Sequence, residues 1–181
     1  MYLVITYKKI IVFSEKNLMF RIGLLSDTHS YLPDGIFDFF TSCDEIWHAG
    51  DWGNLDIYTK LSAYKPVRGV WGNIDGQEIR ALFPKISRFK VEEVDVMLTH
   101  IGGYPNKYDT SIKHEVILNP PRLFICGHSH ILKVMYDKKL NMLHINPGAA
   151  GKYGFHTIST AVRFEINKDR IENLEVLEIE K

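Results

Sequence analysis

Five short segments of the chain bring together side chains able to hold divalent metal ions. They are Asp27-Thr28-His29, Gly50-Asp51, Gly72-Asn73-Ile74-Asp75, Thr99-His100 and Gly127-His128-Ser129-His130. Each follows an apolar, β-branched run that reads as a strand, so each falls where a strand ends and a loop begins. Ligands delivered from successive strand ends converge on one edge of a sheet, where open α/β folds keep their sites. Two Asp, one Asn and four His disposed in this way are the ligand set of a two-metal hydrolase.

Taken singly, the segments differ in weight. Asp27 and His29, two apart on an extended exit, point the same way and can grip one ion; an N-cap beside a surface histidine would look the same. Gly50 lets the backbone turn sharply as it delivers Asp51. A carboxamide such as Asn73 binds a hard cation without adding charge, although Asn is also an ordinary turn residue. His128 and His130 are the sharpest pair, because a structural role would need two buried histidines each finding partners. The shared position of all five at strand exits carries the metal reading.

The elements that position these residues follow from periodicity. Strands are predicted at 20–26, 44–48, 67–71, 86–91, 94–99, 122–126, 132–136, 141–145, 159–167 and 171–179. Helices are predicted over Pro33 to Ser42, over Asn54 to Tyr64, and from Asp109 to Leu118, where Asn119-Pro120-Pro121 stops the last. Asp137-Lys138-Lys139 and Asn167-Lys168-Asp169 read as hairpin turns. The fold class is therefore α/β, a four-layer αββα sandwich of two mixed sheets flanked by helices. Residues 1–18 read as an extension that the fold does not require, with Met19 directly before the first strand, and residues 19–181 as a single domain.

Bulk properties narrow the partners. With 22 basic and 22 acidic residues the formal charge is zero, so no basic field attracts nucleic acid or an anionic membrane. The apolar N-terminal stretch Tyr2–Phe13 is broken by Lys8 and Lys9 and is too short to span a bilayer. Cys43 and Cys126 read as free, buried thiols, which together with the lack of a secretory signal points to the cytoplasm. Exposed strand edges leave room for a homodimer.

The motifs resemble those of the calcineurin-like metallophosphoesterase superfamily, in its small bacterial and archaeal phosphodiesterase branch. The resemblance runs from about Phe20 to the C-terminus and includes Asn146-Pro147-Gly148. It implies that Asp27, His29, Asp51 and His130 hold a first divalent ion. Asp51, Asn73, His100 and His128 hold a second, so that Asp51 bridges. It further implies catalytic roles for Asp51, Asn73 and His100, contact of Asn73 and His100 with substrate, and attack on a phosphate diester by a hydroxide bound between the metals. Two divalent ions less two aspartates leave about +2, which favours a small anionic phosphate ester. Imidazole and carboxylate ligands suit manganese, which the resemblance favours, or iron, zinc or nickel, better than calcium.

Two departures stand out. Relatives often follow the Asn with a His able to protonate the leaving group, whereas this chain has Ile74 there and keeps Asp75. Ile101 replaces a frequent Gly after His100 and is expected to reshape the adjoining pocket. His48 reads as a packed neighbour of the metal ligands, His114 as a surface residue, and neither His144 nor His156 as a ligand. Trp52 and Tyr104 are candidates for stacking on substrate or for packing in the core. The same fold also serves as a non-catalytic protein-binding scaffold in the retromer subunit that resembles this branch; scaffold versions are expected to lose ligands, and this chain keeps all seven.

Overall fold

The computed structural model describes residues 19–180; the expected N-terminal extension lies outside the described residues. The first half alternates strand and helix: β1 (Phe20–Leu25), α1 (Gly35–Phe39), β2 (Glu45–His48), α2 (Leu55–Tyr64), β3 (Val67–Gly69) and α3 (Gln77–Leu82). Then come β4 (Ile86–Val91), β5 (Val94–Thr99), a two-strand ribbon of β6 (Gly103–Tyr104) and β7 (Lys107–Tyr108), and α4 (Thr110–Leu118). The rest is strand: β8 (Leu123–Ile125), β9 (Leu132–Asp137), β10 (Met142–Pro147), β11 (Ile158–Asn167) and β12 (Arg170–Glu180).

Two five-stranded mixed sheets result, ordered β12-β11-β1-β2-β3 and β4-β5-β8-β10-β9. In the first, β1, β2 and β3 run parallel and β11 returns antiparallel to β1. In the second, β5, β8 and β10 run parallel, with β4 and β9 antiparallel at the edges. Strand alternation sorts side chains into layers. Ile22, Leu24, Trp47, Val94, Val96, Leu98, Leu123 and Ile125 belong to one buried cluster between the sheets. The other parity faces outward. Leu25 and Ile46 pack with Ile36, Ile57, Leu61 and Ile79 of the first three helices, while Met97 and Phe124 pack with Ile112 and Val116 of α4. This is the expected αββα order, and it leaves the parallel strands to end along one edge.

Local departures have local causes. The first helix is only Gly35–Phe39, because the Thr41 and Cys43 amides bond back three residues, to Asp38 and Phe40, rather than four. Asn54 sits at the N-cap of α2 without a side-chain bond, whereas Asp109 caps α4 by accepting from the Ser111 amide at 2.9 Å. The six-residue α3 and the β6–β7 ribbon are absent from the sequence reading, being too short for periodicity to register. The turn after β9 is longer than expected: Asp137 accepts from the Lys139 and Leu140 amides, and Asn141 closes it at φ 51°.

Both cysteines are free and buried. Burial pushes the Cys43 thiol up to about 11 and the Cys126 thiol up to about 12, so thiolate is scarce at neutral pH. Native protein is expected to resist iodoacetamide at pH 7.5 and to take up two labels per chain once denatured, as mass spectrometry would read; labelling of the folded protein would contradict this packing.

Candidate metal centre

The five segments meet at the edge where β1, β2, β3, β5 and β8 end. Two trios offer donor atoms within 4.8 Å of one another: Asp27, His29 and His130, and Asp51, His100 and His128. The trios adjoin. His29 Nε2 lies 3.7 Å from Asp51 Oδ2, and His100 Nε2 lies 3.2 Å from Asp51 Oδ2 and 3.9 Å from Asp27 Oδ1. The Asn73 side-chain oxygen is 3.1 Å from His100 Nε2, which brings the seventh residue to the second trio. All seven residues singled out from the sequence thus share one site. Asp27, Asp51 and His100 are buried, while Asn73 and His128 are exposed at its mouth.

The backbone delivers them differently from the extended exit expected for Asp27 and His29. Asp27, His29, Asp51, His128 and His130 all have positive φ, at 54°, 45°, 58°, 69° and 57°. Non-glycine residues seldom occupy this region, and such strain gathers where a site over-determines the backbone. Left-handed residues turn the chain abruptly at the strand end, so the side chains face each other across loops instead of projecting along a strand. Space is equally tight: a Cβ on Gly72 would fall onto Asp51 Oδ1 and the Asp51 amide. A side chain there would displace the Asp51 carboxylate.

Hydrogen bonds fix the loops. The Asp75 carboxylate accepts from the amides of Gly72 at 2.7 Å, Gly53 at 3.0 Å and Asp51 at 3.1 Å, clamping two ligand loops together. Burial raises its pKa against those bonds. His48 is the packed neighbour expected. Its Nδ1 accepts from the Gly50 amide at 3.1 Å, so the proton sits on Nε2, 3.0 Å from Thr28 Oγ1. Burial holds its pKa well below the usual range, which keeps it neutral. Trp52 is fully buried, stacked between His48 and Phe83 at ring separations of 3.7 and 4.6 Å; it is core, and unable to stack on a substrate. His114 is exposed, and His144 is buried with Nε2 3.0 Å from the Gly103 carbonyl.

The donor set fits cations. Asp27 Oδ1 and His29 Nε2 are buried and have no hydrogen-bond partner among the described residues. A buried carboxylate oxygen in that condition is costly unless a positive charge meets it. The Ala49 carbonyl, 2.7 Å from His100 Nδ1, can only accept, so Nδ1 keeps its proton and Nε2 faces Asp51 Oδ2 at 3.2 Å, donating to it when the ring is protonated and offering a lone pair to a cation when it is neutral. Burial alone would lower the His100 pKa, but the bond to Asp51 and the charge of Asp27 outweigh it and hold it above normal. For Asp51, burial works upward, and His100 together with the Ile74 amide overcomes it.

Comparison with known proteins agrees with this geometry. The model of the calcineurin-like phosphoesterase superfamily domain matches residues 20–169. The chain belongs to that superfamily. A probable metallophosphoesterase of Methanothermobacter thermautotrophicus is 32% identical over 135 residues, covering 71% of this chain and 76% of the relative. Among solved structures, an archaeal phosphodiesterase superposes with a TM-score of 0.70 at 20% identity, over 87% of this chain and 99% of the other. Entamoeba histolytica Vps29 complexed with zinc gives a TM-score of 0.68 at 15% identity, over 88% and 98%. At such identities the two structures speak for the fold.

Two clefts open from the centre. One, of about 310 Å³, is bounded by Trp71, Asn73, Lys85 and His100; the other, of about 550 Å³, by His128, Tyr104, Lys107 and Lys133. Ile101 lines both, which is how its bulk shapes the ground beside His100. Sequence reasoning gave no role to Trp71 or to Lys133, and the Tyr153 ring lies 4.8 Å from that of His29.

A divalent ion must displace any proton on His100 Nε2, so loading is expected to release protons and to weaken as pH falls through the upper histidine range. Calorimetry of manganese binding in buffers of different ionisation enthalpy measures this directly. Pre-ionised ligands throughout would give no proton release between pH 6 and 8 and would contradict the assignment.

Proposed function

We propose that the chain is a metal-dependent phosphodiesterase acting on small phosphate diesters. The observation that carries this reading is the pair of adjoining donor trios with Asp51 between them. In this reading Asp27, His29, Asp51 and His130 hold one divalent ion, and Asp51, Asn73, His100 and His128 hold the other. Manganese is the ion we favour. Bound together, the two ions would supply charge neutralisation for the phosphoryl group and an acidified water. The residues of the chain do the rest. Asp75 and His48 hold the ligand loops at fixed separation, and the buried carboxylates keep their charge focused in a low-dielectric wall. Asn73 and His128, at the mouth, are the ligands a phosphoryl oxygen reaches first.

The two clefts support a diester over a monoester, since each can take one arm of the substrate. No protein acid stands behind the leaving group at the Asn73-Ile74 step. The Ile74 side chain is half exposed and apolar, and its amide is spent on Asp51 Oδ1 at 3.1 Å. Esters with acidic leaving groups are therefore the better substrates. Two free buried thiols suit a reducing cytoplasm.

The test is hydrolysis of a chromogenic diester and the matching monoester by chelator-stripped protein, with and without manganese. Manganese is expected to restore diester cleavage, and His128→Ala to lower it by about a hundredfold while the fold persists by circular dichroism. Full metal occupancy without cleavage of either ester would overturn the enzyme reading in favour of a binding scaffold.

A further inference from the structure

The two clefts differ in chemistry. The smaller rests on Trp71, whose ring has the Arg80 guanidinium 4.3 Å away and the Lys85 ammonium 5.9 Å away, and it suits a flat leaving group. The larger runs from His128 past Tyr104 to Lys133 and Lys107. The Lys133 ammonium sits 3.8 Å above the Tyr104 ring, which fixes its position without neutralising it. Neither Lys133 nor Lys107 is in an ion pair with a carboxylate among the described residues. The acid at the cleft wall, Asp109, has its Oδ1 committed to the Ser111 amide and hydroxyl at 2.9 and 2.5 Å. Asp137, behind the ribbon, is likewise held by the Tyr108 hydroxyl at 2.5 Å and by the amides of its own turn. The cleft therefore presents two ammonium groups, Lys133 and Lys107, that no carboxylate among the described residues holds in an ion pair, on the same lining as His128.

We propose that this larger cleft selects diesters whose retained arm carries its own anionic group, such as a carboxylate or second phosphate, and that Lys133 recognises it. Lys107 adds a second cation at the rim. The inference rests on the diesterase reading for the meaning of the two arms, but its binding chemistry can be measured apart from turnover. A preset ammonium on an aromatic face loses little freedom when an anion arrives, so the discrimination is set by charge and not by shape.

Manganese-loaded protein is titrated calorimetrically with butylphosphonate and with the same molecule bearing a terminal carboxylate. The carboxylated ligand is expected to bind about tenfold more tightly at low salt, with the advantage shrinking as salt rises. Lys133→Met, which keeps the stem over Tyr104, abolishes the advantage, and Lys133→Arg restores it. Equal affinity of the two ligands for the wild type, or an advantage that survives Lys133→Met, overturns the proposal. Hydrolysis of p-nitrophenyl alkyl phosphates with and without the carboxylate is read separately. Binding selectivity without turnover of either ester upholds the cleft and overturns the diesterase reading instead.

Discussion

Two carboxylates buried at the end of a β-sheet, with too few hydrogen bonds for their charge, set the terms for this molecule. Asp27 is inaccessible to solvent and Asp51 nearly so, and one oxygen of Asp27 accepts no hydrogen bond among the described residues, facing instead the Nε2 atoms of His130 and His100 at 3.2 and 3.9 Å. A chain folding only for stability would avoid that arrangement, because an unpaired buried anion costs several kcal/mol or changes its protonation. The cost is tolerable when divalent cations are the missing partners. Much of the local structure serves to hold these two groups near each other: the left-handed residues, the crowded glycines, the neutral His48 and the three-amide clamp of Asp75.

The division of labour runs through the layers. Apolar side chains between the sheets fix where the parallel strands stop, and the strand ends fix where the ligand loops begin. Those loops are short and strained, so they need outside support. Thr28 and the Trp52 carbonyl tie the first loop to the second at 3.0 Å, and Asp75 ties the second to the third. The His100 ring is fixed through its far nitrogen by the Ala49 carbonyl. Support of this kind comes from groups that never touch a metal, and its loss would loosen the site without unfolding the sheets.

How much of this was legible in the sequence depended on scale. The longer strands were plain, because apolar, β-branched runs such as Val94-Asp95-Val96-Met97-Leu98 stand out and the motifs follow them directly. The seven metal-binding candidates were legible for the same reason, as types at strand exits. Their presentation was not: φ near +55° at Asp27 and Asp51 is imposed by contacts with residues far along the chain, and Asp-Thr-His in isolation reads as extended. Trp52 looked available to a substrate because its neighbours are ligands, yet its indole N–H reaches the Val70 carbonyl at 2.8 Å deep in the core. Ile101 and Tyr104 stood out beside the motifs, but the pairing of Tyr104 with Lys133 did not, since the two meet only in the folded chain. Motif chemistry is local, whereas cleft chemistry is tertiary.

In the proposed centre seven residues hold two ions and Asp51 touches both. Electron paramagnetic resonance of chelator-stripped protein titrated with manganese tests it most directly. Two manganese ions per chain with an exchange-coupled spectrum are expected, and loss of the coupling in Asp51→Asn. A single isolated ion at saturation, or two ions without coupling, would contradict it.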